Sequence, residues 1–446
     1  MKIAFVPIDN RPVCYTLPKL IAQIDEEIEF FLPERELLGD LERIANIQGL
    51  FDWLKGLPKL DALVVSLDTL AYGGLIPSRR CPETFDEVKS RVERLKEILQ
   101  EKECKIYAFS SIMRISNNNY NQEEKAYWSK WGKKIFDYSF QTHKLGCESC
   151  ITNIIPSEIL DDYIATRKRN FEINKIYLEW QKEGLFDTLI FSKDDCAEYG
   201  FNVQEAKFLE ELGGFTKTGA DEIPLSLLSR AIAGEIKICP IFIEPNSKNL
   251  ISNYEDVSIE KSVQGQIELA GCKVVSEKDA DILLYVNNFI DHQGEIVMRV
   301  NTQSYSGDFK TPDIPYMIAD VRFANGADNN FVKELFKNNL DNNFYGYSAW
   351  NTSANTLGSL ICGAKVRYFA KKNNHDAFKK LQITRFLDDW AYQANVRQTL
   401  SEPNVEKLIT GMKEFEKVVE NVLKTNINVR YIYPWDRLFE VEVEFN

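Results

Sequence analysis

Short runs of apolar residues alternate with longer amphipathic runs along most of the chain. The short runs have the length of strands, and the longer runs repeat apolar positions at the spacing of helices. Because strands alternate with helices, the pattern predicts an α/β fold with a parallel sheet. Eight runs predict strands, in the segments KIAFVPID, LDALVVSLDTLAYGG, CKIYAFSSIMRIS, DTLIFSKDD, CPIFIEP, ADILLYVNNF, PYMIADVRFANG and NFYGYSAWNTSANTLG.

The number of predicted strands favours a (β/α)8 (TIM) barrel or a barrel variant, with a doubly wound open sheet as the alternative. From about residue 366 the pattern is mostly helical, and the segment VRYIYPWDRLFEVEVEF near the end predicts a β segment. We therefore expect a parallel α/β domain, the catalytic one, over residues 1–365. A helical extension with a terminal β segment is expected over residues 366–446.

Composition and charge narrow the class of protein. The chain has 446 residues, a formal net charge of −13 and nine cysteines. The acidic balance argues against nucleic acid and against an anionic membrane as partners. The chain shows neither a signal-peptide pattern nor an apolar run long enough to span a membrane. An odd number of scattered cysteines argues against a disulfide framework, so we expect a cytoplasmic protein.

Polar residues follow the predicted strands one after another. Since parallel strands open their carboxyl ends on one face, we expect these side chains to line one cavity. A polar residue after a strand can also simply cap the next helix, and this alternative stays open for Asn351. The candidate residues are Asp9, Arg11, Asp68, Tyr72, Arg114, Asp194, Asp195, Asp320, Trp350 and Asn351.

The adjacent carboxylates Asp194 and Asp195 are the most unusual of these residues, because they end an apolar run. If both face one cavity, their mutual repulsion raises one pKa and leaves one acid protonated near neutral pH. A protonated carboxyl is what general acid catalysis requires. Aromatic residues such as Tyr72, Tyr347 and Trp350 could flank a sugar ring, although aromatic side chains also fill cores.

Other kinds of site are not indicated. The chain lacks the glycine-rich motifs of nucleotide sites. Its three histidines do not follow predicted strands, and the CESC segment lacks two further ligands, so a zinc site is not expected. Asp221 and Glu222 begin a predicted helix, where capping is at least as plausible a role as chemistry.

Nine short motifs in the chain resemble those of a bacterial family known as domain of unknown function 4127, over about residues 3–400. The resemblance implies common ancestry and a shared site, and it implies no activity. Cys14 departs from the family pattern, which has a small polar residue or asparagine after RPV. The motifs are VPIDNRPV, SLDTLAYGGLIPSR, SSIMRIS, ATRKRN, SKDD, GADEIPLSLLSR, IADVRFANGAD, AWNTSANTLG and LDDWAYQANVR.

The segment IFSKDD is also similar to the end of the fourth strand in barrel-fold N-acetylhexosaminidases, where two adjacent acids occur. In those enzymes the amide oxygen of the substrate is the nucleophile, an exception to the two-carboxylate scheme. By this resemblance, Asp194 would orient and polarise the 2-acetamido group. Asp195 would protonate the departing oxygen.

Three functions follow as expectations. The first is a glycoside hydrolase that acts on a small 2-acetamido sugar glycoside, without metal or other cofactor. The second is a divalent-metal hydrolase with Asp9, Asp68, Asp194 and Asp320 as oxygen ligands. The third is a non-catalytic ligand-binding protein. The expected partner is a small carbohydrate, with no nucleic acid and no membrane, and a homo-oligomer is left open.

Overall fold

The computed structural model describes residues 1–194, 197–338, 340 and 342–446, apart from the side chain at position 153. The described residues divide into two compact units. Unit 1 comprises Met1–Tyr15 and Glu29–Leu227, and unit 2 comprises Thr16–Ile28 and Leu228–Asn446. Each unit is built on its own parallel sheet.

The sheet of unit 1 has six strands in the order β2-β1-β3-β4-β5-β6, and all of its pairs are parallel. This order is that of doubly wound sheets, extended by one strand. The strands are β1 Lys2–Val6, β2 Glu29–Phe31, β3 Ala62–Ser66, β4 Lys105–Ile112, β5 Thr188–Lys193 and β6 Thr216–Thr218.

The main sheet of unit 2 has five parallel strands in the order β13-β11-β9-β7-β8. If β7, β8, β9, β11 and β13 are numbered 1 to 5, the order read from the β8 edge is 2-1-3-4-5. The first five strands of the unit 1 sheet have the same order. Two small sheets accompany it, a parallel pair β10–β12 and an antiparallel pair β14–β15. The strands are β7 Lys237–Phe242, β8 Lys273–Val274, β9 Ile282–Asn287, β10 Gly294–Glu295, β11 Tyr316–Asp320, β12 Phe323–Ala324, β13 Phe344–Ser348, β14 Val429–Ile432 and β15 Glu442–Phe445.

Helices connect the strands, and among the described residues no helix is both long enough and apolar enough to cross a membrane. The α-helices are α1 Thr16–Ala22, α2 Ile47–Gly56, α3 Leu67–Tyr72, α4 Leu75–Arg80, α5 Phe85–Gln100, α6 Trp128–Leu145, α7 Ser157–Lys182, α8 Phe201–Glu211, α9 Ile223–Ala231, α10 Ile259–Leu269, α11 Asn329–Leu335, α12 Ser353–Phe369, α13 His375–Arg385 and α14 Val405–Leu423. A π-helical segment spans Phe386–Gln393. The 3₁₀ segments are Arg35–Leu37, Cys150–Asn153, Pro245–Ser247, Glu277–Asp279, Val396–Thr399 and Pro434–Asp436.

Local sequence explains why these elements form. Every residue of β3 is buried, as expected for a parallel strand covered on both faces. Helix α5 begins with a capping box, in which Thr84 accepts from the Glu87 N–H and the Glu87 carboxylate accepts from the Thr84 N–H. Its buried residues recur at three- and four-residue intervals, so one face of the helix packs on the core.

The predicted parallel α/β class is confirmed, and each of the eight predicted segments overlaps a strand of one of the two larger sheets. One predicted boundary is wrong: the pattern predicts that the strand continues past Ser66, but α3 begins at Leu67. The Ser66 hydroxyl caps this helix by accepting from the Thr69 N–H. The barrel, the domain boundary at residue 365 and a separate helical extension stay predictions.

Candidate functional site

Polar residues follow four adjacent strands of unit 1. Asp9 and Arg11 follow β1, Asp68 follows β3, Arg114 follows β4, and Asp194 follows β5. Because these strands are parallel, their carboxyl ends share one edge of the sheet. The structure therefore brings the unit 1 part of the predicted site to a single edge, where α/β proteins bind ligands.

Two arginines hold Asp194 in place after β5. The Asp194 Oδ2 atom lies 3.3 Å from Arg114 Nη1 and 3.8 Å from Arg79 Nη2. Glu124 Oε1 accepts from Arg114 Nε at 3.0 Å and lies 3.4 Å from Arg79 Nη1. Glu123 Oε2 lies 2.9 Å from Arg114 Nη2 and 3.6 Å from Arg79 Nη1. We call these five side chains the Asp194 network.

The Asp194 network extends from the buried side chains of Arg79 and Glu124 to the accessible carboxylate of Asp194. The side chain of Arg79 is 1% exposed and that of Glu124 is 4% exposed, whereas that of Asp194 is 31% exposed. Charged hydrogen bonds in a buried setting hold their partners firmly, since an unpaired charge there is costly. The network therefore presents an accessible carboxylate on a fixed support.

Sequence reasoning missed three members of this network. Arg79 belongs to α4, and Glu123 and Glu124 lie in the loop after β4, so none of them directly follows a strand. The signal that could have found Arg79 was its place in the motif SLDTLAYGGLIPSR. The two glutamates lie outside every quoted motif.

Asp68 is a buried carboxyl at the same sheet edge. It is 1% exposed, and its Oδ2 atom accepts from the Ser111 N–H at 2.7 Å. Burial raises the pKa of Asp68 to about 7, and the bonds from Ser111 and the charge of Arg79 oppose that rise. This carboxyl can therefore hold a proton near neutral pH.

We predict that Asp68→Asn removes a pH dependence of stability. The folded state raises the pKa of Asp68, so this carboxyl contributes stability below the unfolded-state pKa of about 4 and loses it as pH rises to about 7. The advantage of the wild type over the variant should fall across that window by at most about 1.4 kcal/mol per pH unit. Urea denaturation midpoints measured across the window check this.

The control for Asp68→Asn is Asp86→Asn, at an exposed position of α5, which also removes one negative charge. A constant difference between wild type and Asp68→Asn across the window would contradict the raised pKa.

Tyr72 is buried at the end of α3, with 3% of its surface exposed. The Arg169 guanidinium lies over its ring, 5.2 Å from the ring centre. Burial raises the pKa of the Tyr72 hydroxyl. A role for Tyr72 as a platform for a sugar ring stays a prediction.

Asp9, Arg11 and Asp221 form a buried ion-paired cluster. Arg11 Nε donates to Asp9 Oδ2 at 2.9 Å. The guanidinium also donates to both oxygens of Asp221, at 2.6 and 3.1 Å. The Cys14 thiol lies 3.8 Å from Asp221 Oδ1, so this side chain contacts the cluster. The cluster joins the loop after β1 to the segment that leads into α9.

Asp320 lies in unit 2, at the end of β11, and is fully buried. It accepts hydrogen bonds from Asn287 Nδ2 at 2.8 Å, from the Asp328 N–H at 2.8 Å and from the Tyr347 hydroxyl at 3.0 Å. Burial, and secondly the neighbouring Asp328 carboxylate, raises the pKa of Asp320 to about 7. Asp320 is therefore part of a buried polar network within unit 2.

Trp350 and Asn351 follow β13 in unit 2. Trp350 is buried, with an edge contact to Phe439 at 6.2 Å between ring centres. Asn351 has a φ of 58°, in the left-handed region, and its Nδ2 donates to Asn325 Oδ1 at 3.0 Å. Thr352, rather than Asn351, supplies the side chain that caps α12.

Part of the predicted site stays a prediction. Asp195 lies outside the described residues. Asp320, Tyr347, Trp350 and Asn351 belong to unit 2, and the other described candidates belong to unit 1. That all of these side chains line one cavity therefore remains an expectation.

The alternative metal site also stays a prediction. In the part of the chain that the structure describes, no group of three or more histidine, cysteine, aspartate or glutamate side chains is arranged to hold a metal ion. Of the four expected ligands, Asp9 and Asp194 are ion-paired with arginines. A metal would have to compete with those guanidiniums.

Comparison with known proteins identifies a family and no activity. No curated protein matches the chain, and no solved structure matches it. One family matches residues 3–444, nearly the whole length. The chain therefore belongs to the family described as protein of unknown function DUF4127.

Proposed function

We propose that this protein is a glycoside hydrolase that acts on a small 2-acetamido sugar glycoside, with the acetamido group of the substrate as nucleophile. The observation that carries the proposal is the placement of Asp194 directly after β5, paired with Arg114 at 3.3 Å and partly accessible. Asp195 is the next residue of the chain. An acid pair of this kind suits a reaction in which one carboxylate orients the substrate and the other protonates the leaving group.

In the proposed reaction, the acetamido oxygen attacks the anomeric carbon while the bond from that carbon to the departing oxygen breaks. Asp195 gives its proton to the departing oxygen. The Asp194 carboxylate accepts a hydrogen bond from the acetamido N–H, which makes the carbonyl oxygen a better nucleophile. Water then opens the cyclic intermediate and returns a proton to Asp195. Substrate assistance of this kind is a recognised route of glycoside hydrolysis.

The Asp194 network supports the proposal through rigidity. An orienting carboxylate must be held within about 0.5 Å of its productive position by residues that are themselves fixed. Arg79 is 1% exposed and contacts both Glu124 and Asp194, so it is fixed in this way. The proposed chemistry needs no metal or other cofactor.

The proposal needs only one edge of the unit 1 sheet. It therefore holds for the barrel variant that the sequence favours and equally for a doubly wound sheet. The cytoplasmic location expected from the composition is part of the same proposal.

We predict turnover of a 4-nitrophenyl 2-acetamido-2-deoxyglycoside in a panel of nitrophenyl glycosides. The matching 2-hydroxyl glycoside should have a kcat/KM at least about 10²-fold lower, because it lacks the intramolecular nucleophile. Initial rates of nitrophenol release measure both. EDTA should leave the rates unchanged.

Three outcomes would contradict the proposal. Equal turnover of the two sugars would rule out substrate assistance. Loss of activity with EDTA, restored by Mg²⁺ or Mn²⁺, would support the metal hydrolase instead. Stabilisation by a sugar without any turnover would support a binding protein.

A further inference from the structure

The carboxyl edge of the unit 2 sheet carries an accessible carboxylate, Glu244, that the proposed reaction does not use. Glu244 follows β7 by two positions, and Asn288 follows β9 directly. Strand β7 pairs with β8 on one side and with β9 on the other, so the order of the strands reverses between β7 and β9. Open α/β sheets bind ligands at their carboxyl edge where this reversal occurs. Glu244 and Asn288 therefore lie on the two sides of the position at which such a sheet binds a ligand.

Asn288 fixes the main chain of Glu244. Its Oδ1 atom accepts from the Glu244 N–H at 2.9 Å, and its Nδ2 atom donates to the Glu244 carbonyl at 2.9 Å. Asn288 is itself fully buried. The peptide groups on both sides of the Glu244 α-carbon are therefore held in place.

Arg322 fixes the carboxylate of Glu244. Its Nη2 atom donates to Glu244 Oε1 at 2.8 Å, and its side chain is fully buried. Its Nε atom donates to Asn287 Oδ1 at 3.0 Å and its Nη1 atom to the Gln303 carbonyl at 2.9 Å, so Arg322 supports Glu244 and is not left to bind a ligand. In the described part of the chain, Glu244 Oε2 accepts no hydrogen bond. This oxygen can therefore accept one from a ligand.

The arrangement repeats the chemistry of the Asp194 network. Arg114 and Arg322 each lie two positions after the fourth strand of their sheet, counted along the chain. The supported carboxylate is 31% exposed in Asp194 and 29% exposed in Glu244, and Arg79 and Arg322 are both buried. The carboxylates follow different strands, the fifth in unit 1 and the first in unit 2. The two units therefore share a kind of site, a fixed carboxylate that accepts hydrogen bonds.

We propose that unit 2 contains a second, non-catalytic binding site for a 2-acetamido sugar, in which Glu244 accepts a hydrogen bond from the amide N–H or from a hydroxyl of the sugar. The class of ligand rests on the proposed function, and the site itself rests on the contacts of Glu244. Ile243 and Pro245 flank Glu244, so no adjacent acid can protonate a departing oxygen. The site therefore binds the sugar without cleaving it.

The test is a titration of the full-length protein with N-acetylglucosamine, followed by NMR of labelled isoleucine methyl groups. Ile243 adjoins Glu244, and Ile290 lies two residues after Asn288. We expect a saturable shift of at least one of these two signals. The methyl signal of Ile154, an exposed residue of unit 1, should not shift. The lack of a saturable shift at both Ile243 and Ile290 would overturn the proposal.

A conservative variant tests the role of the carboxylate. Glu244→Gln retains an oxygen that can accept from Arg322, so the protein should fold, but it replaces a charged acceptor by a neutral one. The dissociation constant read from the shifts should rise by about fivefold or more, because hydrogen bonds to charged groups are the stronger ones. Glu406→Gln, at an exposed position of α14, removes the same charge and should leave the constant unchanged. An unchanged constant in Glu244→Gln would overturn the assignment of Glu244.

The second site and the proposed reaction can fail separately. Asp194→Asn should retain the shifts at Ile243 and Ile290, because Asp194 belongs to unit 1 and Glu244 to unit 2. Turnover of 2-acetamido glycosides without these shifts would overturn the second site and leave the hydrolase in place. Shifts in a protein that shows no turnover would overturn the hydrolase and leave the second site in place.

Discussion

Replacement of Asp195 by asparagine should lower the turnover of 2-acetamido glycosides with poor leaving groups by about 10²–10⁴-fold. The amide cannot give a proton to the departing oxygen, so an alkoxide would have to leave unprotonated. For an activated nitrophenyl leaving group, which needs little protonation, the loss should be much smaller. Steady-state rates on a methyl glycoside and on its nitrophenyl counterpart measure the difference.

Asp194→Asn should give a different pattern: turnover should fall by a similar factor for poor leaving groups and for nitrophenyl. Asp194 is proposed to act on the acetamido group, which attacks in every case. Asp161→Asn, on an exposed position of α7, is the matched control and should retain wild-type rates. Activity that survives both Asp194→Asn and Asp195→Asn would remove the pair from the chemistry.

Replacement of Arg11 by leucine should destabilise the protein by about 3–5 kcal/mol. The substitution leaves two buried carboxylates, Asp9 and Asp221, without the guanidinium that contacts both of them. An uncompensated charge costs far more when it is buried than when water surrounds it. Urea denaturation, followed by circular dichroism, gives the change.

Two comparisons make the Arg11 prediction specific. Arg43→Leu breaks an arginine–aspartate pair in which the arginine side chain is 53% exposed, and it should cost less than about 1 kcal/mol. Adding Asp9→Asn and Asp221→Asn to Arg11→Leu should restore part of the lost stability, because the buried charges are gone. A triple variant no more stable than Arg11→Leu would show that packing, rather than charge, causes the loss.

The α/β class could be predicted from the sequence because it rests on local periodicity. Each of the eight predicted strands is an apolar run, and all of them except β13 are inner strands of a sheet. β2 and β8, at sheet edges, have three and two residues and gave no such signal. Periodicity also does not say which strands pair, so the division into two sheets was not predictable. The π-helical segment Phe386–Gln393 has apolar spacing close to that of an α-helix, so the sequence predicts an α-helix there.

The candidate site was predictable to a similar extent. A carboxylate after a strand, such as Asp68 or Asp194, carries a positional signal, because parallel strands share one edge. Asp221 carries none: its partner Arg11 is 210 residues away, and its place before a helix suggests only a cap. Arg79 was hidden for a related reason, since a helical arginine usually faces water.

The division of the chain between the units has a consequence for synthesis on the ribosome. Helix α1 lies in Thr16–Ile28 and belongs to unit 2, yet it is made before nearly all of unit 1. In the folded protein, α1 buries Leu17, Leu20 and Ile21 and contacts α12 and α13, which are synthesised much later. At about 5–20 residues per second, a nascent chain waits on the order of ten seconds or more for those partners. We therefore expect unit 1 to fold first with α1 held apart, and a chain released early to expose an unpaired apolar helix that chaperones can bind.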